Sequence, residues 1–178
     1  MEAAVYKSGQ FKIVAYRGTD DVMDGIQNAA LFTHYKVQFK NALEFLLKYV
    51  SGQELGKRRI ILVGHSLGGA LAKFAAWHIK KEGGCPAATY AFNSPHLTPG
   101  FFSGAATVAF FQDLDFDIPK SASVAGPVVN IRMAGDPISE IGVALGHTLT
   151  FPRPEDVINV HRMENLKRVI KKYPRVRH

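Results

Sequence analysis

The stretch Gly64-His65-Ser66-Leu67-Gly68-Gly69 constrains this chain more than any other. It follows a short apolar run, Ile60-Ile61-Leu62-Val63. It opens a segment with apolar residues at helical spacing: Ala70, Leu71, Phe74, Ala75, Trp77 and Ile79. The run reads as a buried strand and the segment after it as a helix. A G-x-S-x-G turn between the two sets a serine on a strained corner with its hydroxyl exposed. Gly64 and Gly68 flank Ser66 where a side chain would collide with the neighbouring strand or helix, and glycine tolerates the positive φ of such turns. The plain alternative is a glycine-rich connection without chemistry.

At 178 residues the chain is long enough for one domain with a sizeable core, and a single domain over 1–178 is expected. A content of 47% hydrophobic and 21% charged residues excludes a disordered chain. The net charge of +7, from 22 Lys and Arg against 15 Asp and Glu, suits an anionic surface such as phospholipid headgroups. Simple solubility explains the excess equally well, and nucleic acid is not expected as a partner. The single cysteine, Cys85, lies between Gly84 and Pro86 as a loop residue and excludes an internal disulfide. Residues 1–10 carry no apolar core of signal-peptide type, and no run approaches a membrane span. The compartment stays open between the cytoplasm and export by a non-classical route.

Phe11–Tyr16 is rich in β-formers and reads as a strand, with Val5-Tyr6 as its hairpin partner. Arg17-Gly18-Thr19-Asp20 breaks it. Residues 20–32 suit a short amphipathic helix and 34–50 a longer one, stopped by Ser51-Gly52. Strands are expected at 59–63, 87–92, 128–133 and 148–151, and helices at 66–81 and 161–173. The last helix sets Met163, Leu166, Val169 and Ile170 against Arg162, Lys167, Arg168, Lys171 and Lys172. Residues 96–126 show no clear period. Alternating strands and helices predict an α/β fold: a mostly parallel central sheet with helices on both faces. Ligands bind such sheets beyond the carboxyl ends of the strands. Arg17-Gly18-Thr19, His65-Ser66 and Asp136-Pro137 all fall there.

A serine hydroxyl is a weak nucleophile until a histidine takes its proton, and that histidine needs an acid to fix its tautomer. In one of the known chain orders the serine comes first, then the acid, then the histidine. Asp136 is the best acid, because it follows a buried strand at its carboxyl end and Pro137 stiffens the turn. Asp113, Asp115 and Asp117 read as a solvated loop. Of seven histidines, His34, His65, His78 and His96 precede Asp136, and His178 is terminal. His161, at the start of the last helix, is favoured as the base, and His147 is the alternative. An oxyanion hole needs two backbone N–H groups. Leu67, first in the helix after Ser66, supplies one, and Thr19 is placed to supply the other. No metal or cofactor is implied.

Tyr16-Arg17-Gly18-Thr19-Asp20, Gly64 to Ala72, Phe92-Asn93-Ser94-Pro95 and Asp136-Pro137-Ile138 occur in that order. Together they resemble the class 3 lipase family, the fungal-lipase-like branch of the α/β-hydrolases. The resemblance implies a small α/β-hydrolase-like fold and serine-dependent hydrolysis of carboxylic esters in lipids. It implies Ser66 as nucleophile, Asp136 as acid, and Thr19 and Leu67 as oxyanion donors. His161-Arg162-Met163 is similar to a helix start in bacterial relatives and supports His161 as base. The family's lid maps onto residues 21–32. Leu31, Phe32, Phe101, Phe102 and Val143 are pocket candidates. The basic terminal helix, with Arg175 and Arg177, leaves phospholipase A-type action on anionic membranes as an alternative, and a non-catalytic membrane- or partner-binding module as another.

Overall fold

In the computed structural model the described residues are 1–18, 29–97, 127–142, 144 and 146–172, with the backbone alone at 29–36. Strands β1 (Ala3–Ser8) and β2 (Phe11–Tyr16) form an antiparallel hairpin in which Val5 faces Val14. The chain then runs through helix α1 (Ala29–Tyr49), the short helix α2 (Gly52–Leu55) and strand β3 (Ile60–His65). Helix α3 (Leu67–Lys81) leads to strand β4 (Ala88–Phe92). Strands β5 (Val128–Met133) and β6 (His147–Phe151) and helix α4 (Met163–Lys172) complete it. The six strands lie in one sheet in the order β1-β2-β3-β4-β5-β6, with every pair after the first parallel. The fold is thus a mixed α/β one with a mostly parallel sheet.

Register assigns each strand residue to a face, because paired residues share a side and successive ones alternate. Val14, Leu62 and Ala91 share one face. There Phe39, Ala42 and Leu46 of α1 and Leu71, Phe74 and Ile79 of α3 bury against the sheet. The Phe39 and Phe74 rings meet edge-on at 5.1 Å. Phe92, Ile131 and Phe151 point the other way, toward Val157, Val160 and the Leu166 and Val169 side chains of α4. Helices therefore cover both faces.

Three sequence expectations change. The residues at 29–32 belong to α1, which begins earlier than the spacing implied, and 20–28 lie outside the described residues. The short helix α2 follows the Ser51-Gly52 stop: the Ser51 N–H donates to the Glu54 carboxylate at 2.8 Å and closes its first turn. The last helix begins at Met163, so His161 stands in the turn before it. Asn159 Oδ1 accepts the His161 N–H at 3.1 Å, and the Arg162 carbonyl is the first to accept helical N–H groups, those of Asn165 and Leu166. Among the described residues no helix is long and apolar enough to cross a membrane.

Candidate active site

The turn between β3 and α3 is crowded by backbone. A Cβ on Gly64 would run into the Gly68 carbonyl, and one on Gly68 into the Tyr16 carbonyl. With both corners pared to backbone, Ser66 occupies the bend at φ 57° and ψ −130°, where a side chain is strained. Its N–H donates to the Phe92 carbonyl at 2.9 Å, which ties the bend to β4. The Leu67 N–H, first in α3, has no carbonyl in its own helix to meet. It lies at the positive end of the helix dipole.

Asp136 follows β5 and is fully buried. The Ile138 and Ser139 N–H groups donate to its two carboxylate oxygens, each at 3.3 Å. His161 Nδ1 lies 3.0 Å from Asp136 Oδ1, and its Nε2 lies 2.8 Å from Ser66 Oγ. A carboxylate only accepts, so the proton sits on Nδ1 and Nε2 offers its lone pair to the serine hydroxyl. This arrangement can move a proton from Ser66 to His161 and leave the imidazolium against a carboxylate. A cavity of about 790 Å³ opens on the same edge of the sheet. Arg17, His65, Pro137, Ile158, His161 and Arg162 help to bound it. Ile158 is 93% exposed at this rim.

Behind the acid turn lies a buried polar cluster. Lys73, from α3, donates to the Pro95 carbonyl at 2.6 Å and faces His96 Nδ1 at 3.4 Å. Burial pushes the Lys73 amine down to about 7. Burial, with the Lys73 and Arg132 charges, pushes His96 down to about 3, against a backbone hydrogen bond with Ser139. Among the described residues no three His, Cys, Asp or Glu side chains converge as a metal site requires.

Of the residues singled out in the sequence, Ser66, Asp136 and His161 come together and Leu67 adjoins them. His147 is exposed at the amino end of β6, away from the edge that carries Ser66, and its carbonyl accepts from Asn130. Thr19, Phe101, Phe102, Val143, Arg175 and Arg177 lie outside the described residues, as does most of the 21–32 segment and the side chains of Leu31 and Phe32. Two residues passed over in the sequence reach the same place. Asn93 donates to the Val160 and His161 carbonyls, and His65 Nε2 lies 2.7 Å from the His161 carbonyl. In the sequence Asn93 reads as part of a strand-ending Asn-Ser-Pro turn, and His65 is one of the histidines that precede Asp136. The positive φ at Asn93 is the cue that a turn signal alone conceals.

A strained serine, a histidine and an aspartate thus share the carboxyl edge of a mostly parallel α/β sheet. The family model that matches is Mbeg1-like, over residues 1–136, and the chain belongs to that family. This corrects the resemblance to class 3 lipases. The motifs behind that resemblance are short strand-end turns, with glycines dictated by backbone crowding, and such turns do not separate one family from another. No curated protein matches the chain. Among solved structures it is similar to the RedJ thioesterase of the prodiginine pathway in Streptomyces coelicolor. There the identity is 15% and the TM-score 0.47, over 78% of this chain and 66% of that one. An α/β hydrolase from the metagenome of Lake Arreo, LAE6, gives 14% and 0.40, over 81% and 54%. The ester hydrolase EH1AB1 from the same source gives 14% and 0.39, over 79% and 53%. The chain spans just under two thirds of the thioesterase and about half of the other two. At these values nothing about the reaction follows.

Proposed function

We propose that this protein is a serine-dependent carboxylic ester hydrolase that works through an acyl-enzyme, with lipid esters as its substrates. The observation that carries this reading is the line from Ser66 Oγ to His161 Nε2 at 2.8 Å and from Nδ1 to Asp136 at 3.0 Å. Ser66 Oγ attacks the ester carbonyl while its proton passes to His161 Nε2. The oxyanion rests on the Leu67 N–H and, in this reading, that of Thr19. The leaving alcohol departs with the proton from His161. Water then attacks the acyl group, its proton passes to His161, and the carboxylic acid and free serine are released. Nitrophenyl esters of graded chain length and a fluorophosphonate label test this. Turnover and labelling are expected in the parent protein, and Ser66→Ala should lower kcat by about 10⁴-fold or more. No turnover and no labelling by the folded protein ends the reading.

A specific observation favours a phospholipid surface as the place of action. Ile158 stands 93% exposed at the cavity rim, and Lys167, Lys171 and Lys172 are exposed on α4, which follows it in the chain. An exposed apolar side chain and a basic helix together suit an anionic bilayer. Sedimentation with phosphatidylserine vesicles should fall with added salt and with Lys171→Glu/Lys172→Glu. Binding that ignores both lipid charge and salt removes this proposal.

A further inference from the structure

Asn93 follows the last residue of β4, between the strand that leads to Ser66 and the strand that leads to Asp136. It is fully buried and adopts φ 41°. Its N–H donates to the Ile131 carbonyl at 2.8 Å. Its Oδ1 accepts the Met133 N–H at 3.0 Å. Its Nδ2 donates to the Val160 carbonyl at 2.9 Å and the His161 carbonyl at 3.2 Å. The partners fix which end of the amide is which, because a backbone N–H must meet oxygen and a carbonyl must meet N–H. The preceding Phe92 carbonyl holds the Ser66 N–H. The end of β4 is therefore bonded to the segments that carry all three members of the Ser66–His161–Asp136 line.

The His161 carbonyl takes a second donor. His65 Nε2 approaches it at 2.7 Å, and the two imidazole rings lie 4.9 Å apart. The carbonyl partner requires the His65 proton to be on Nε2. A strand end that only had to pack would be served by glycine at a positive φ. Asparagine is among the few other residues that accept that backbone, and it adds one acceptor and two donors. At this site all three are occupied.

We propose that Asn93, together with His65, is a positioning residue for the reaction: the pair clamps the His161 carbonyl and holds the imidazole in line between Ser66 and Asp136. The proposal rests on the ester-hydrolase reading for its kinetic consequence. A reacting group displaced by about 1 Å loses about 100-fold in rate, so the clamp acts on kcat rather than on substrate binding.

Three variants test it. Asn93→Gly suits the backbone and removes the amide. His65→Phe keeps a ring against His161 and removes the donor, whereas His65→Gln restores an N–H. Asn93→Gly and His65→Phe should lower kcat about 10- to 100-fold with KM within about twofold, and His65→Gln should recover part of that loss. A second readout does not need turnover. At alkaline pH the imidazole nitrogen NMR signals of His161 should show a single tautomer, protonated on Nδ1, in the parent protein and a mixture in Asn93→Gly and His65→Phe. Unchanged kcat and unchanged His161 signals in the folded variants overturn the clamp, and so does a His65→Gln no better than His65→Phe. If the parent protein neither turns over esters nor takes the fluorophosphonate label, the ester-hydrolase reading fails, and the NMR comparison still decides the clamp. If Asn93→Gly does not fold, the His65 pair decides it.

Discussion

At Ser66 the backbone takes φ 57° and ψ −130°, a combination that residues with a Cβ avoid. Such strain costs on the order of 1 kcal/mol or more and tends to persist where function requires it. Ser66→Gly should therefore raise the unfolding midpoint by a few degrees while removing turnover, and a calorimetric scan checks this. A lower midpoint would mean that the serine side chain contributes packing that outweighs the strain. His96 makes a different claim. Folded, it takes its proton at about 3, whereas an unfolded histidine takes it near about 6.5. Between those values the unfolded chain holds the extra proton, so stability falls as the pH drops from about 6.5 toward about 3. His96→Gln should flatten that acid limb in urea unfolding series, and an equal slope in the variant refutes the assignment. Lys73, folded at about 7 and unfolded near about 10.4, costs most below neutrality, and that cost fades as the pH rises between the two.

The elements were legible where one physical signal dominated. β3 is an unbroken apolar run because Ile60 and Leu62 are buried on one face and Ile61 and Val63 half-buried on the other, and β2 alternates because one face meets the core. α2 was hidden because Gly52 reads as a stop, although Ser51 and Glu54 already stood at capping spacing. α4 starts two residues later than the spacing implies because the Arg162 carbonyl is the first to accept helical N–H groups, while the His161 carbonyl meets Asn93 and His65. Asp136 was legible from its place at the end of an apolar strand. His161 is favoured over His147 only by its place at the last helix, because the path of the chain, which sets His161 Nε2 beside Ser66 and His147 at the amino end of β6, is not written locally. Asn93 was lost for a similar reason, since its partners at 131, 133, 160 and 161 are remote in sequence. At this scale Leu166 is the sensitive point of α4. It is fully buried beside Met133, Val157 and Val160. Leu166→Ala should cost about 3 kcal/mol and reduce turnover in the protein that remains folded. Urea unfolding with an assay of the folded fraction reads both.

At the scale of the fold, the described residues pack the two faces of the sheet unequally. Among the described residues, nineteen buried side chains form the cluster under α1 and α3, and five form the cluster under α4. On the α4 side Tyr6, Tyr90 and Leu149 remain 58%, 36% and 42% exposed. Ser66 stands on the larger cluster and His161 on the loop that the smaller one holds. Local opening follows the poorer packing. On gradual heating, ester turnover should therefore disappear several degrees before the near-ultraviolet signal of Trp77, which packs on the larger cluster. Coincident curves would show that the two faces let go together. Where they part, the temperature at which the protein stops working and the temperature at which it melts are separate properties. A stabilising change made under α1 would then raise the second and leave the first where it was.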